Sequence, residues 1–589
     1  MRAALGEMRR GRCRPAAATL PSRPMRTAFA LLLALLATPA HAERATLLVG
    51  GRILTDASAP PASRFAAAAL VVNGRFVAVG TQADVEAAAR RQGLTPARVD
   101  LGGRLAIPAL TDAHGHVEGL GSALQRLQLV GTKSAEEIAE KVAERARATP
   151  AGQWILGRGW DQNDWAVEKF PTRDVLDRVT RDHPVWLRRV DGHAAWANSR
   201  ALELAGVTRA TPDPPGGRIE RAADGSPAGV LVDHAMSLVE AKIPPATRES
   251  RRHAIVLATQ RCASLGLTAV HDAGVDTETV SIYRELAESG QLPIRVFAML
   301  SAESAWSQDA LPLEKPSAGD GRFRLFAVKA YADGALGSRG AALLEPYSDD
   351  AGNVGLVRTT QDTLELLARR CLERGYPMCV HAIGDRANRM VLDAFERAAA
   401  GSTAAGGAKP IGLRDRRFRI EHAQVIAPED IPRFARLGVI ASMQPTHCTS
   451  DMPWAPARLG AARNEGAYAW RRLLDSGARL ALGSDFPVED PNPLLGIYAA
   501  VTTRDLEGRP PQGYRPSQKL TIWEALRGFT SDAAYAAFAE DELGRAAAGY
   551  RADLAVFDRD LTAIPPSEIP KARCVMTMVG GEIVWRAKP

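Results

Sequence analysis

The sequence lacks the features of a disulfide-stabilised protein. It holds 6 cysteines in 589 residues, and they are scattered, with no Cys-x-x-Cys pair. One of them, Cys13, falls in the leading segment, which leaves an odd number at positions 262, 371, 379, 448 and 574. This spacing indicates neither a thiolate metal site nor a disulfide framework. We therefore expect most of these cysteines to be small buried residues.

Excess charge and long apolar runs are also lacking beyond the start of the chain. Residues 1–42 carry seven arginines and one acid, Glu7, so the formal net charge of +7 leaves only +1 for the rest. Such a balance gives no reason to expect a nucleic-acid partner. The apolar stretch from Ala28 to Ala37 is shorter than the roughly 20 residues that span a bilayer, and no later run approaches that length. We therefore expect no stable membrane insertion.

The first 42 residues have the pattern of a secretion signal. Met25-Arg-Thr is a short basic start, the apolar stretch follows, and Ala40-His-Ala42 is a small-residue cleavage site. The pattern predicts cleavage after Ala42 and a periplasmic or secreted protein, with an uncleaved N-terminal anchor as the alternative. Met25 is favoured over Met1 as the true start, because an Arg-, Ala- and Pro-rich stretch before a signal peptide is unusual.

The order of β-rich and helical segments predicts the fold. Short β-rich runs with turns, among them the Asn73-Gly74 hairpin signal, fill the chain to about residue 104, and similar runs return after about residue 540. Between them, apolar runs alternate with helical segments, as in a parallel sheet. We predict an α/β fold: a (β/α)8 TIM-like barrel with a small β-sandwich domain built from both termini.

The predicted boundaries are 1–42 for the signal, 43–104 and 540–589 for the two parts of the small β domain, and 105–539 for the barrel. The predicted barrel strands are Ile107–Ala113, Leu267–His271, Ile294–Leu300, Leu325–Tyr331, Met378–Ala382, Phe418–His422, Val439–Gln444 and Leu480–Ser484. Residues 130–262 break this rhythm and are predicted to be an insert after barrel strand 1. Five of the ten tryptophans lie there, and we favour a subdomain core over a substrate wall for them.

The stretch Leu105-Ala-Ile-Pro-Ala-Leu-Thr-Asp-Ala-His-Gly-His116 carries the first chemical signal. It begins as an apolar run too short for a helix, which indicates a buried strand. His114 and His116 stand two apart at its end, so in a strand both imidazoles point to the same side. Two converging imidazoles are half of a site for zinc or a similar metal. Alone, however, such a pair is more often a polar strand end.

Later predicted strands end in further residues able to bind a metal. They are Lys329 on strand 4, His381 on strand 5, His422 on strand 6 and Asp485 after strand 8. Each residue alone could have a purely structural role, as a hydrogen-bonded core histidine, a paired surface lysine or an N-cap aspartate. In a parallel barrel, however, the chemistry lies where the carboxyl ends of the strands meet. We therefore predict a metal site at that face.

The motifs around these residues resemble the amidohydrolase superfamily, and within it the YtcJ-like group that includes N-substituted formamide deformylase. The resemblance covers essentially all of residues 43–589. One departure is Ala109, where the family usually has glycine, and we expect it to matter little. The motifs are Thr111-Asp-Ala-His-Gly-His116, Val328-Lys-Ala-Tyr-Ala-Asp-Gly-Ala-Leu-Gly-Ser-Arg339, His381-Ala-Ile-Gly-Asp-Arg386, Ile420-Glu-His-Ala-Gln424 and Gly483-Ser-Asp-Phe-Pro487.

The resemblance implies two metal positions, one held by His114, His116 and Asp485 and the other by His381 and His422. Zinc is the expected metal, and the sequence leaves open whether one divalent ion or two are bound. A metal pair would polarise a substrate carbonyl and lower the pKa of a bridging water. Asp485 would take the proton of that water and deliver it to the leaving nitrogen.

The resemblance also implies a role for Lys329. An ammonium group has no lone pair to donate, so the lysine would react with carbon dioxide, and the resulting carbamate would bridge the metals. Burial near cations lowers the pKa of a lysine and frees its amine for that reaction.

Other polar or aromatic residues are weaker candidates for contact with the substrate. Some lie at predicted strand ends or follow Lys329, and others lie in the insert. They are Trp160, Asp161, His193, His271, Asp333, Arg339 and Gln444.

The sequence thus predicts an exported metal-dependent hydrolase of a small molecule, acting on a C–N bond other than a peptide bond in an amide or N-acyl compound. Hydrolysis of an ester or lactone at the same site is the alternative among enzymes. A catalytically silent barrel with a binding or regulatory role is the alternative outside them, although the matched metal donors argue against it. These residues indicate a reaction type rather than a particular substrate. A homodimer is compatible with the sequence.

Overall fold

The computed structural model describes residues 44–588 except 191, 308–310, 313–314 and 402–411. The predicted signal segment, with its cleavage site after Ala42, lies outside the described residues. Within them the fold is α/β, as predicted. No helix in this part of the chain is both long and apolar enough to cross a bilayer.

The centre of the chain is a nearly closed barrel of parallel strands, as predicted. The strands follow one another around the barrel in chain order. Barrel strands 1 to 8 are Thr111–Gly115, Ala269–Val275, Arg295–Ser301, Phe323–Tyr331, Met378–Ala382, Arg419–His422, Ile440–Met443 and Leu480–Leu482. A short strand, Ser317–Ala318, pairs antiparallel with barrel strand 4.

The barrel closes between strands 1 and 8 through a short bridge. Gly115 pairs with Phe486 in parallel, and the amide of His116 donates to the carbonyl of Phe486 at 2.8 Å. The amide of Asp485 donates to the carbonyl of His114 at 2.7 Å. The closure therefore fixes the backbone of three predicted metal ligands.

The predicted first strand, Ile107–Ala113, is wrong in its extent. Leu105–Pro108 belongs to a sheet outside the barrel, and barrel strand 1 begins only at Thr111. Between them Ala109 has a φ of 43°, a conformation that costs little for glycine and more for other residues. This turn is a physical reason for the glycine that the resemblance implies at the position. The other predicted strands overlap the observed ones.

The two ends of the described chain form two further sheets that pack on each other, as in the predicted β-sandwich. Leu48 and Val71 of one sheet share an apolar cluster with Ile53, Leu554 and Met578 of the other. In sheet order, the first consists of Arg75–Gly80, Ala68–Val72, Ala45–Val49 and Ala97–Asp100, and the second of Glu582–Arg586, Cys574–Val579, Leu554–Phe557, Leu105–Pro108, Arg52–Leu54 and Phe65–Ala66.

The insert has a sheet of its own, with an apolar cluster on each side. Trp160, Trp165 and Trp196 are buried in one cluster, and Trp186 is buried in the other. The tryptophans thus form the core of the insert. The sheet order is Gly217–Arg221, Pro227–Asp233, Ala194–Ala197, Val185–Arg189, Ile155–Trp160 and Leu127–Gln128.

Helices surround the barrel strands and bury an apolar stripe against them. In Asp385–Ala400, for example, Val391, Phe395 and Ala398 recur at helical spacing and are buried. The other helices between residues 117 and 536, outside the insert, are Val117–Gln125, Arg248–Ser264, Thr277–Glu288, Ala302–Ser307, Gln361–Arg374, Leu413–Arg416, Ile431–Leu437, Pro445–Asp451, Ala455–Asn464, Trp470–Asp475, Pro493–Thr502, Ile522–Gly528 and Ser531–Ala536.

The remaining helices accompany the other sheets. Gln82–Arg91 packs beside the N-terminal sheet through Val85, Ala88 and Ala89. Those of the insert are Ala135–Ala148, Arg173–Asp177, Ser199–Ala205 and Ser237–Glu240. Arg248–Ser264, which the sequence placed in the insert, packs instead into the main core of the barrel through Ile255, Ala258 and Cys262.

Candidate metal centre

The six predicted metal ligands converge at the carboxyl ends of the barrel strands. His116 Nε2 lies 3.1 Å from Asp485 Oδ1, and His114 Nε2 lies 3.6 Å from the same oxygen. The Nζ atom of Lys329 is 3.4 Å from His114 Nε2. The ring of His422 is 4.9 Å from that of His114, measured between centroids.

His381 completes the group from barrel strand 5. Its ring centroid lies 4.5 Å from that of His422. His114, His422 and Asp485 each place one potential ligand atom within 4.8 Å of the other two. These six side chains form the ligand cluster, which is mostly buried. His116 is its most accessible member, with 34% of its side chain exposed.

The arrangement of these atoms fits a bound cation. Asp485 Oδ1 is buried and has no well-directed hydrogen bond among the described residues, although two imidazole nitrogens face it. A buried carboxylate without such compensation is unfavourable. Imidazole nitrogens and a carboxylate oxygen are donors that zinc and similar divalent ions prefer. A positive ion between them would satisfy this oxygen and the facing nitrogens together.

The electrostatics of the cluster favour the forms that bind metal. Burial, with a further contribution from the charge of Lys329, lowers the pKa of His381 to about 3 and that of His114 well below its usual range. Burial and the neighbouring His381 do the same to the pKa of His422. These imidazoles are therefore neutral at neutral pH, as a metal ligand must be.

The two acid–base groups of the cluster are shifted as well. Burial lowers the pKa of Lys329, which favours a free amine. Burial opposes the ionisation of Asp485, but the neighbouring imidazoles of His116, His114 and His447 lower its pKa to about 2. Asp485 is therefore a carboxylate throughout the neutral range.

Buried carboxyl and amide groups fix the orientation of two histidines. Nδ1 of His114 donates to Oε2 of Glu421 at 2.5 Å, and Nδ1 of His422 donates to Oε1 of Gln444 at 2.9 Å. Both contacts leave Nε2 free to bind an ion, which is a common arrangement around metal-binding histidines. Gln444, predicted as a substrate contact, thus orients His422 in this structure.

Glu421 was missed as a functional residue, although it stands in a motif singled out in the sequence. It pairs with buried Arg419, Nε to Oε1 at 2.8 Å. Side chains alternate along a strand, so Glu421 and His422 would ordinarily face opposite sides. His422 instead has a φ of 72°, which ends the alternation and lets both side chains reach the ligand cluster.

His447 is a second residue that the sequence did not reveal. It lies on helix Pro445–Asp451, just after barrel strand 7. Its Nε2 is 3.8 Å from Asp485 Oδ2 and has no hydrogen-bond partner among the described residues. Its ring stacks on that of His422, 6.0 Å away between centroids. A lone histidine beyond a strand end carries no signal of this proximity.

The sequence profile of the amidohydrolase family matches residues 97–585. The chain belongs to that family. It is a YtcJ-like amidohydrolase: YtcJ of Bacillus subtilis is 35% identical over 494 residues, covering 83% of this chain and 90% of that protein. Members of this family are metal-dependent, in agreement with the donor set described above.

Two other proteins are similar to most of this amidohydrolase. N-substituted formamide deformylase of Arthrobacter pascens is 28% identical over 536 residues, covering 88% of this chain and 94% of that protein. The crystal structure of an uncharacterized metal-dependent hydrolase from Pyrococcus furiosus superposes with a TM-score of 0.72 at 30% identity. The alignment covers 88% of this chain and all of that one.

Three of the other candidate substrate contacts lie in the barrel part of the amidohydrolase. Asp333 accepts backbone hydrogen bonds from Ile383 at 3.0 Å and Gly384 at 2.8 Å, which ties together the loops after strands 4 and 5. His271 is fully buried beside Arg419, Nδ1 to Nη1 at 3.0 Å. Both are used inside the protein. Arg339 lies in an ion pair with Asp349 at 3.1 Å.

The remaining three candidates lie in the insert and make their contacts there. Trp160 is fully buried, and its indole donates to the carbonyl of Leu187 at 2.7 Å, so it offers no surface to a substrate and is a core residue. Asp161 pairs with Arg189 at 2.6 Å. His193 is largely exposed and lies 2.8 Å from Asp233. The structure does not bring these residues into the ligand cluster.

Proposed function

We propose that this amidohydrolase is an exported hydrolase of a C–N bond other than a peptide bond, in an amide or N-acyl compound. The observation that carries the proposal is the position of Asp485. Its carboxylate faces the imidazoles of His114, His116 and His447, at the face of the barrel where such folds carry their chemistry.

The proposed cofactor is one or two zinc ions held by the six converging side chains. A bound ion of this kind polarises a carbonyl and lowers the pKa of water. We also propose a carbamate on Lys329, because its amine is buried, has a lowered pKa and lies 3.4 Å from Nε2 of His114. The ligands are His114, His116, Lys329, His381, His422 and Asp485.

Asp485 supplies the proton transfers. Its carboxylate accepts the proton of the attacking water and returns it to the nitrogen that leaves, which makes the nitrogen a neutral amine. His116 Nε2 lies 3.1 Å from Oδ1, which limits the space in which the carboxylate can move. The backbone of Asp485, with a φ of 63° and its amide bonded to the carbonyl of His114, restricts it further.

The choice of a C–N bond rests on relatives rather than on the ligand cluster. The name of N-substituted formamide deformylase places the activity of that protein on a formamide, and it covers 88% of this chain. Hydrolysis of an ester or lactone would use the same groups. A silent barrel would not need them, because buried donors facing one another destabilise a protein that binds no ion.

Metal analysis and matched substrates test the proposal. Purified protein should contain zinc, lose activity with chelator and regain it with zinc. It should hydrolyse N-formyl and N-acetyl amines faster than esters and lactones of the same shape, relative to their uncatalysed rates. Faster relative hydrolysis of the esters or lactones would move the assignment to that class. Bound zinc without turnover of any of them would favour a binding role.

Export is a separate part of the proposal, since residues 1–42 lie outside the described part of the chain. It rests on the apolar stretch and the Ala40-His-Ala42 site. N-terminal sequencing of protein recovered from the periplasm or medium should begin at Glu43. Protein that stays inside the cell, or that keeps Met25, would contradict export by cleavage.

A further inference from the structure

Arg358 lies at the edge of the ligand cluster, where its guanidinium contacts an aromatic ring and pairs with no carboxylate in the described part of the chain. The amide of Arg358 donates to the carbonyl of Ala332 at 2.8 Å, which anchors it directly after barrel strand 4. Its side chain is exposed. Among the residues that the structure describes, no carboxylate forms an ion pair with its guanidinium. In contrast, Arg339 and Arg458 of the same region both pair with Asp349.

Tyr331 connects Arg358 to the ligand cluster. The guanidinium carbon of Arg358 lies 5.2 Å from the centroid of the Tyr331 ring. The same ring is 5.0 Å from Nζ of Lys329 and 5.6 Å from the ring of His381, between centroids. Because Tyr331 follows Lys329 by two positions in the strand, both side chains face the same side. The charge of Arg358 therefore lies next to the cluster.

The hydroxyl of Tyr331 is a second polar group available there. It makes no hydrogen bond within the described ranges. The hydroxyl lies beside Gly274 of barrel strand 2. A larger residue there would crowd it, because a Cβ on Gly274 would lie 2.8 Å from the hydroxyl oxygen. The Tyr331 hydroxyl and the Arg358 guanidinium are neighbouring hydrogen-bond donors. Together they are suited to bind an anion.

We propose that Arg358 and Tyr331 bind a carboxylate of the substrate, so that the substrates are N-acyl amino acids rather than neutral amides. This rests on the proposed amide hydrolysis. A guanidinium and a phenol match the two oxygens of one carboxylate, whereas a phosphate dianion calls for more than one cation. The acyl carbonyl would lie at the ligand cluster and the carboxylate at Arg358.

Binding of analogues that cannot be hydrolysed tests this apart from turnover. N-methylsulfonyl-phenylalanine and N-methylsulfonyl-phenethylamine differ only in the carboxylate. Calorimetry on the zinc-loaded protein should show the acid bound at least about tenfold more tightly. Arg358→Ala should bring its affinity down to that of the neutral analogue without weakening the latter, and Tyr331→Phe should weaken the acid alone by a few-fold. Arg370→Ala, which removes an exposed arginine of helix Gln361–Arg374, should change neither.

Several outcomes would overturn the carboxylate site. They are equal affinity of the wild type for both analogues, equal weakening of both by Arg358→Ala, and no measurable binding of the acid at millimolar concentration. Turnover of N-acetylphenylalanine and N-acetylphenethylamine separates the two proposals. Preference for binding the acid without hydrolysis of any amide would leave the site standing and refute the reaction. Equal hydrolysis of both amides would leave the reaction standing and refute the site.

Discussion

Nδ1 of His114 donates a hydrogen bond of 2.5 Å to Oε2 of Glu421, and both side chains are fully buried. Burial opposes the ionisation of Glu421, but the charges of Arg419 and Lys329 and a hydrogen bond from Ser442 together outweigh it and lower the pKa of the carboxyl group. A charged acceptor behind the imidazole makes Nε2 a stronger donor to a metal. We therefore expect barrel strand 6 to raise metal affinity in two ways, through His422 itself and through the hydrogen bond of Glu421 to His114.

Replacement of Glu421 by Gln should weaken zinc binding by about 10- to 100-fold, because the amide keeps the size of the side chain but not its charge. Competition with a chelating dye measures the affinity. Glu429→Gln is the control, since Glu429 pairs with Arg389 at the surface. Zinc affinity within twofold of the wild type would show that Glu421 only balances the charge of Arg419.

Replacement of Lys329 by Ala should remove bound metal and most activity, because the proposed carbamate is lost. Short carboxylic acids such as acetate or propionate should partly restore both, since a carboxylate can take the place of the carbamate. Metal content and rate are measured with and without added acid. Lys571→Ala, at an exposed lysine, is the control. Unchanged metal content and rate in Lys329→Ala would show that Lys329 is not a ligand.

The fold and most of the ligand cluster could be predicted, because both leave local patterns. Buried strands appear as apolar runs, and each predicted ligand stands at the end of one. The limits of strand 1 could not be predicted, since the turn at Ala109 has a φ of 43° and the apolar run continues through it. The run therefore appears as one strand although it serves two sheets.

The residues missed in the site depend on long-range contacts. Glu421 meets His114 across 307 residues of sequence, and His447 reaches Asp485 from a helix. Arg358 belongs to a loop without periodicity, and only the structure shows that it contacts Tyr331 while no carboxylate among the residues described pairs with it. Conversely, Asp333 and His271 resembled site residues because they are polar at strand ends, yet both are used in hydrogen bonds within the protein.

The contribution of His381 to the stability of the metal-free protein should fall as the pH falls from neutral to about 4, whereas buried Asp112 and Asp333, whose pKa values are raised by burial to about 7, act in the opposite direction. Burial lowers the pKa of His381 to about 3, whereas an unfolded histidine titrates near its usual value of about 6.5. Between these values His381 binds more protons in the unfolded state, so its contribution to the free energy of unfolding decreases with falling pH. His381 alone accounts for a change on the order of a few kcal/mol.

Urea unfolding of chelator-treated protein at about pH 7.5 and pH 5 measures this effect. Acidification should destabilise His381→Asn less, or stabilise it more, than it does the wild type, because the titrating group is gone. His253→Asn, at an exposed histidine of helix Arg248–Ser264, is the control. The same change in stability between the two pH values in His381→Asn as in the wild type would contradict the prediction.

Replacement of Trp160 by Ala should destabilise the protein by about 3–5 kcal/mol, the usual effect of removing a large buried aromatic side chain. The rates for different substrates should fall together, because Trp160 belongs to the core of the insert. Thermal unfolding and a small substrate panel measure the two effects. His193→Ala, at an exposed position, serves as the comparison. A change in the relative rates at unchanged stability would show instead that Trp160 lines the substrate pocket.

Replacement of Asp485 by Asn separates metal binding from proton transfer. The amide oxygen can still bind an ion with some loss of affinity, but it cannot accept and return a proton near neutral pH. Since general acid–base assistance is typically worth about 10²–10⁴ in rate, the variant should keep substantial metal and lose turnover by at least about a hundredfold.

The pH dependence of the wild type gives a second test of Asp485. With a pKa of about 2, its carboxylate stays charged down to strongly acidic pH, so no loss of rate between about pH 4 and pH 7 should come from its protonation. An acid limb in that range must then have another origin and should survive in the slow Asp485→Asn enzyme. If the variant with metal bound turns over within a few-fold of the wild type, Asp485 does not carry the proton.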